Sequence, residues 1–287
     1  MEFWLEPFLL GFQQRALIGG LIAALMCSVV GVWLVLRGMS FFGDAFVHGV
    51  LPGIAAAVLF DFSPYLGAAV AAVLMVGGIE FIHRQSSLRE DTAIGLLFVG
   101  MMALGVALIS KSRTFTGSLT SILFGDAFGV SWSDITSEAI VAGLIVVGAF
   151  VLYRPLLALS FSSAKAATLG MRPRLAHALL LVMIASAVIG SFQAVGTLLV
   201  FGLLVGPPAT AALISRTVPV MIALSVGLGA VSVWLGLLLS YYLATAGAAT
   251  IALVAVGIFF VVLHVTWLRR VLRSRAQRAA AAEAVAA

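Results

Sequence analysis

Charged residues are scarce in this chain. They make up 9% of its 287 residues, whereas hydrophobic residues make up 63%. A soluble domain carries roughly 25% charged residues, so this chain has too few of them to cover a surface that faces water. Cysteine is nearly absent as well. Cys27 is the single one in the sequence, which excludes an internal disulfide and a thiolate cluster for a soft metal.

The motifs of several enzyme classes are also missing. The sequence contains no His-Glu-x-x-His, no Gly-x-Ser-x-Gly and no Gly-x-Gly-Asp, which are typical of metallo-, serine and aspartyl hydrolases of membranes. Its lysines, Lys111 and Lys165, follow Ser110 and Ala164, so a Gly-Lys phosphate-binding loop is excluded. The chain is therefore predicted not to be an enzyme, and any ATP that drives it is hydrolysed by another subunit.

Apolar segments recur along almost the whole chain. A membrane-spanning helix needs about 20 mostly apolar residues. Segments of this kind predict eight or nine such helices, at 16–36, 41–60, 64–83, 92–110, 135–153, 175–191, 194–214, 218–240 and 247–268. The expected fold is an all-α, polytopic membrane helix bundle. It is predicted to form one permease-like domain over 1–287, with the bundle at 15–268 and a basic, alanine-rich tail at 269–287.

Basic residues indicate how such a bundle is oriented. Arg37, Arg84, Arg216 and the arginines of the tail follow the first, third, seventh and last segments, so alternating crossings place them on one side. The positive-inside rule makes that side cytoplasmic, and the C-terminus is predicted to lie there. The tail is interpreted as an anchor at the lipid surface, and no nucleic acid is expected among the partners.

Prolines interrupt two of the apolar segments. Pro52 stands midway along the second segment and predicts a kink. Pro207 and Pro208 predict a break in the seventh segment, whose freed carbonyl groups need protein or a water-filled cavity as partners. Broken helices at membrane depth often mark transport pathways. A purely structural kink is the alternative at both sites.

An acid and a histidine lie inside the second apolar segment. Asp44 and His48 are four residues apart, which places them on one helix face with Cβ atoms about 5–6 Å apart. A carboxylate oxygen and an imidazole nitrogen suit zinc, and also manganese or iron. The alternative is a hydrogen-bonded pair that only joins two helices. Two ligands are in any case an incomplete site, so others must come from further helices, a second chain or water.

A second acid and histidine end the third segment. Glu80 and His83 have the Glu-x-x-His spacing, which also places both on one helix face. Arg84 follows at once, so the end of a helix at the membrane interface is the simpler interpretation. Lining of an ion path is the alternative for this pair.

Longer stretches of the sequence resemble one family. The run 35–53, which contains Gly43-Asp44-Ala45, His48 and Leu51-Pro52-Gly53, closely resembles the signature of the zinc/manganese-type metal-ion ABC transporter permeases. The stretches at 89–95, 192–199 and 204–211 resemble the same family, and the motifs keep their order over about residues 15 to 265. Val47, where many relatives have serine, is a departure that leaves the ion selectivity open.

The resemblance implies a fold and a function. It implies a type II ABC importer-like permease in the bacterial cytoplasmic membrane, paired as a homodimer, with an ATPase subunit on the cytoplasmic face. A periplasmic or lipid-anchored metal-binding protein is expected to deliver the ion, and no cofactor is expected besides that cargo. Zinc is the first expectation for the cargo, with manganese or iron as alternatives.

The same resemblance assigns roles to individual residues. It implies that Asp44 and His48 contact the metal ion in transit. It also implies that Ala166 and Gly170 belong to the cytoplasmic helix that couples the permease to its ATPase. A stand-alone, proton-coupled metal transporter is the alternative function, but it would need a relay of buried acids, of which the sequence offers few.

Overall fold

Most of the described chain is helical. A computed structural model describes residues 6–85, 90–110, 130–168, 170–195 and 197–286, and no strand occurs in these ranges. A short 3₁₀ helix at Glu6–Leu9 comes first. Twelve α-helices follow within the described ranges: α1 Gly11–Leu36, α2 Ser40–Gly49, α3 Leu51–Leu59, α4 Pro64–Gln85, α5 Glu90–Ser110, α6 Trp132–Val151, α7 Tyr153–Phe161, α8 Ser163–Thr168, α9 Pro173–Val195, α10 Thr197–Ile214, α11 Val218–Leu243 and α12 Gly247–Ala286.

Seven stretches of helix in these ranges are long and apolar enough to cross a membrane. Two shorter apolar helices, Thr92–Leu108 within α5 and Leu199–Ile214 within α10, add to them. Together they account for all nine apolar segments of the sequence. The predicted all-α membrane bundle is confirmed. The segment at 269–286 continues α12 as helix and does not form a separate unit.

The first long helix lies at the centre of the bundle. α1 packs against α6, α9, α10 and α11, and the Trp33 side chain is fully buried among them. Two hydrogen bonds join α1 to α11: Gln13 Nε2 donates to the Leu237 carbonyl at 3.2 Å, and Ser28 Oγ donates to the Ser225 carbonyl at 3.1 Å. Such bonds and close packing hold helices together in lipid, where no hydrophobic force acts between them.

Glycines allow the closest helix contacts. A Cβ atom on Gly53 of α3 would overlap the carbonyl oxygen of Gly67 on α4. In the same way, a Cβ atom on Gly67 would overlap the carbonyl oxygen of Gly53. A Cβ atom on Gly31 of α1 would overlap the carbonyl oxygen of Leu204 on α10. Small residues at these crossings let the backbones approach each other, which is how helices pack tightly in a membrane.

The prolines behave differently from one another. The second apolar segment divides at Val50, where α2 ends and α3 begins, and Pro52 occupies the first turn of α3. A proline is tolerated there because its missing N–H has no helical partner anyway. Pro207 and Pro208 lie inside α10, which continues through both. The prediction of a helix break at these two residues is therefore wrong.

Packing explains why α10 continues. The two prolines remove the N–H groups that would bond to the carbonyls four residues earlier, at Leu203 and Leu204. The Leu204 carbonyl instead lies against Gly31 of α1, beside the ring of Pro208. The freed carbonyl group is thus covered by a neighbouring helix, which is how prolines are accommodated in membrane helices.

Candidate functional site

Asp44 and His48 lie side by side on α2. His48 Nε2 is 3.5 Å from Asp44 Oδ1, one helical turn away. The spacing of four residues therefore brings the carboxylate and the imidazole together, as the sequence predicted. An oxygen and a nitrogen at this separation can bind the same cation from one side.

The pair is accessible, although most of α2 is not. The side chains of His48 and Asp44 are 26% and 32% exposed, whereas Phe42 and Phe46 on the opposite face are fully buried. Phe41 and Phe98 flank the pair. The Phe98 ring centroid lies 5.8 Å from that of Phe41 and 6.2 Å from that of His48. The two polar side chains thus occupy an exposed strip beside aromatic rings, outside the packed core of this chain.

Neighbouring helices hold α2 in this orientation. Gly49 lies against the Met75 side chain of α4, and Gly43 lies against Leu204 and Phe201 of α10. The rings of Phe42 and Phe46 pack together on the buried face, with centroids 5.5 Å apart. α2 also packs against α5, and Asp44 and His48 lie on the part of its surface that these contacts leave partly exposed.

The site is incomplete within one chain. Among the described side chains, no group of three or more histidine, cysteine, aspartate or glutamate residues lies close enough to hold a metal ion. Two ligands leave at least two coordination positions of a bound ion to water or to another chain. Such an arrangement is suited to binding an ion transiently rather than to retaining it.

Glu80 does not complete this pair. It is half-buried on α4, and it forms no cluster of three with Asp44 and His48. The side chain of His83 lies outside the described residues. The interpretation of Glu80 and His83 as lining residues of an ion path therefore stays a prediction.

Ala166 and Gly170 belong to a helix end. Ala166 is fully buried on α8, and Gly170 has the left-handed φ of 72° in the turn that follows. The Met171 N–H donates to the Ala166 carbonyl and the Gly170 N–H donates to the Ala167 carbonyl, both at 3.1 Å. This pair of bonds is a Schellman cap, for which glycine is the preferred residue at the left-handed position.

A further contact joins α1 to the start of α9. Arg37 Nη1 lies 2.6 Å from Nδ1 of His177, whose side chain is buried. Gly38, with a φ of 66°, turns the chain directly after Arg37. His177 is therefore part of a structural contact near the arginine-rich end of the bundle.

One buried acid lies outside the residue pairs that the sequence patterns predicted. Glu138 on α6 is only 1% exposed, and neither of its carboxylate oxygens has a hydrogen-bond partner among the described residues. It contributes to the wall of a cavity of about 390 Å³ between α4, α6 and α9. The signal was a lone acid within the apolar segment 135–153, but it has no histidine partner at helical spacing.

Comparisons with known proteins agree with one another. The sequence model of the ABC 3 transport family matches residues 10–266. The chain is 37% identical to the manganese transport system membrane protein MntC of Listeria innocua, covering 88% of this chain and 89% of that one. It is 31% identical to a probable iron transport system membrane protein of Haemophilus influenzae, covering 93% and 98%.

A solved structure has the same fold. PsaBC from Streptococcus pneumoniae in complex with Fab superposes with a TM-score of 0.80 at 33% sequence identity. The superposition covers 91% of this chain and 94% of the solved one. The similarity therefore extends over nearly the whole length of both chains.

Proposed function

Because the chain belongs to the ABC 3 transport family, we propose that it carries Mn²⁺ across the membrane and that Asp44 and His48 contact the ion in transit. The chain is a multi-pass membrane permease of a metal-ion ABC importer. It is not itself an enzyme, since ATP hydrolysis belongs to a separate subunit of such importers.

Manganese replaces zinc as the first candidate for the cargo. The curated relatives described above are named for manganese and for iron. A carboxylate and an imidazole are acceptable ligands for Mn²⁺ and Fe²⁺ as well as for Zn²⁺, so the residues of the pair alone do not decide between them. Iron is the second candidate, and zinc is the third.

The single observation that carries the proposal is the accessible Asp44–His48 pair. Both side chains are polar, adjacent and partly exposed on a helix that otherwise buries apolar residues. An acid in a membrane helix costs about 2.5–3.5 kcal/mol on insertion scales, so it is retained mainly where it has a function. Two ligands per chain hold an ion weakly enough for release.

Pairing of two chains would complete the coordination. If α2 of one copy faces α2 of another across a two-fold axis, two carboxylates and two imidazoles surround one ion. The partial exposure of Phe41, Asp44 and His48 supports such a homodimer, because a second copy would cover them.

The remaining partners follow from the two ends of the bundle. We place the ATPase subunit against α8 and its Ala166–Gly170 cap, at the arginine-rich end that the positive-inside rule assigns to the cytoplasm. A periplasmic or lipid-anchored metal-binding protein would deliver the ion to the opposite end. The chain then lies in the bacterial cytoplasmic membrane with its C-terminus inside.

Uptake of radioactive Mn²⁺ tests the two proposed ligands. We expect Asp44→Asn and His48→Ala each to lower uptake by at least about a hundredfold in cells that also express the ATPase and the binding protein, because each removes one of the two ligands that every chain contributes. Asp61→Asn is the matched control, since Asp61 is an exposed carboxylate with a left-handed φ that asparagine also adopts.

Two further measurements make the result specific. Co-purification of the ATPase with each variant is expected to be unchanged, which separates loss of the ion site from loss of assembly. Uptake into proteoliposomes is expected to require ATP, whereas uptake driven by a proton gradient alone would indicate a secondary transporter. Wild-type uptake by either ligand variant would contradict the assignment of the pair.

A further inference from the structure

A cavity opens at the end of the bundle opposite to Arg37. It has a volume of about 390 Å³ and lies where α4 and α6 begin and α9 ends. Its polar walls are formed by two acids and three hydroxyl side chains: Tyr65, Asp134, Ser137, Glu138 and Ser186. By the positive-inside rule this end faces the outside, from which an imported ion arrives.

Glu138 is the unusual residue of this cavity. It is 1% exposed, and both of its carboxylate oxygens are buried without a hydrogen-bond partner among the described residues. An ionised carboxylate in such a position is strongly disfavoured unless a cation or a proton neutralises it. The Glu138 carboxyl group therefore needs either a bound cation or a proton in this position.

Asp134 supplies a second carboxylate one turn away. It lies four residues before Glu138 on α6, so the two side chains share a helix face. Its Oδ2 accepts hydrogen bonds from the Ser131 N–H at 3.0 Å and from Ser131 Oγ at 2.5 Å. Ser131 Oγ in turn accepts from the Asp134 N–H at 3.2 Å, which completes a capping box. The capping box thus holds the Asp134 carboxylate toward Ser131, and Asp134 and Glu138 both line the cavity.

The donors of this cavity are all oxygen atoms. Two carboxylates match the charge of a divalent cation, and hydroxyl groups or water can fill its remaining positions. Oxygen donors suit a hard ion such as Mn²⁺, and they differ from the oxygen-and-nitrogen pair at Asp44 and His48. No third acid or histidine joins the two among the described side chains, so an ion here remains exchangeable.

We propose that this cavity is a second divalent-cation site, in which Glu138 and Asp134 bind the incoming metal ion before it reaches α2. The proposal rests on the function proposed above, since it identifies the same cargo at an earlier point. It adds a binding step that α2 does not provide. Neutralisation of Glu138 by the metal ion explains why a buried acid without a protein partner is present in a spanning helix.

Mn²⁺ binding to the purified full-length chain in lipid nanodiscs tests the proposal. Equilibrium dialysis against Mn²⁺ alone compares the wild type, an Asp44→Asn/His48→Ala double variant, and that double variant with Glu138→Gln added. We expect the double variant to retain one class of bound Mn²⁺. Adding Glu138→Gln is expected to weaken the affinity of this remaining class for Mn²⁺ by about tenfold or more. Adding Asp61→Asn instead is expected to leave it unchanged.

The conservative variant separates binding from folding. Glu138→Asp keeps a carboxylate and is expected to retain measurable Mn²⁺ binding, whereas Glu138→Gln has nearly the same volume as the native residue and loses it. Thermal unfolding in nanodiscs without metal is expected to be similar for both. Loss of binding only in a variant that also unfolds earlier would overturn the assignment.

Failure of this proposal is distinguishable from failure of the α2 site. Equal Mn²⁺ affinity with and without Glu138→Gln, in the double-variant background, would show that Glu138 is neutralised by a proton and would overturn the second site. The wild type and the double variant could instead bind Mn²⁺ equally, while Glu138→Gln abolishes binding. That result would support the second site and contradict Mn²⁺ binding by Asp44 and His48.

Discussion

Gly31 shows how one residue limits the packing of this bundle. A Cβ atom at this position would overlap the carbonyl oxygen of Leu204, which belongs to the backbone of α10 and cannot rotate away. The substitution Gly31→Leu is therefore expected to push α1 and α10 apart and to lower the free energy of unfolding by about 1–3 kcal/mol.

Thermal unfolding in one detergent measures this effect. Gly227→Leu on α11 is the matched control, because nothing lies within 4 Å of a Cβ atom at Gly227. The control variant is expected to unfold within a few degrees of the wild type. Equal unfolding temperatures for the two variants would show that α1 and α10 separate without cost.

Single residues also show what sequence reasoning can reach. The Asp44–His48 contact was predictable, because a spacing of four on a helix fixes it without any knowledge of other helices. Glu138 was not, since its burial depends on α1 and α9, which pack against α6 and are distant in sequence. Local patterns reveal pairs within an element, but not isolated groups that become buried between elements.

The end of α8 depends on the backbone conformation of a single residue. Gly170 adopts a φ of 72° and closes the Schellman cap on Ala166. Alanine in this left-handed conformation costs roughly 1–2 kcal/mol. Gly170→Ala is expected to loosen the end of α8 and to lower Mn²⁺ uptake several-fold, because we place the ATPase against this helix.

Binding assays distinguish this loss from damage to the ion site. Mn²⁺ binding to the Gly170→Ala chain is expected to match the wild type, while co-purification of the ATPase decreases. Gly143→Ala on α6 is the control, as a helical glycine with nothing within 4 Å of its Cβ position. Unchanged ATPase recovery with Gly170→Ala would argue against contact at this cap.

The prolines show that a local tendency to interrupt a helix can be compensated by packing against a neighbouring helix. Pro52 lies in the first turn of α3, where the sequence pattern of an interrupted segment and the structure agree. Pro207 and Pro208 also lack the N–H group that a helix needs, so their sequence pattern predicts an interruption as well. α10 nevertheless continues, because α1 covers the Leu204 carbonyl at Gly31. Proline patterns alone do not reveal whether a neighbouring helix compensates for the lost hydrogen bonds.

The molecule as a whole presents Phe41, Asp44 and His48 on one open strip, which we propose faces a second copy. The native chain has a single, buried cysteine, Cys27, so Cys27→Ser provides a background for cross-linking. Phe41→Cys in this background is expected to form an intermolecular disulfide on mild oxidation in membranes. A two-fold axis near α2 would bring the two Phe41 positions together.

Gel electrophoresis without reductant detects the cross-linked dimer. Val73→Cys is the matched control, because Val73 is 72% exposed and belongs to α4 rather than to the α2 strip. It is expected to remain monomeric. Equal cross-linking at the two positions would indicate random collision and would contradict the proposed α2 interface.

The overall architecture was largely predictable because lipid restricts the backbone conformations that an apolar segment can adopt. An apolar segment of about 20 residues must form a helix to satisfy its backbone, so all nine segments were expected to be helical and are. The importer-like fold is confirmed by the PsaBC structure. The central position of α1 was not predictable, since its apolar composition resembles that of its neighbours and only contacts such as Gly31–Leu204 distinguish it.

The last helix is longer than any bilayer requires. α12 has 40 residues, which corresponds to about 60 Å of continuous helix, whereas the hydrocarbon core is about 30 Å thick. It packs against α10 and α11. A rigid rod transmits a change of tilt along its full length, so a rotation of a few degrees where α12 meets α10 displaces its far end by several ångströms.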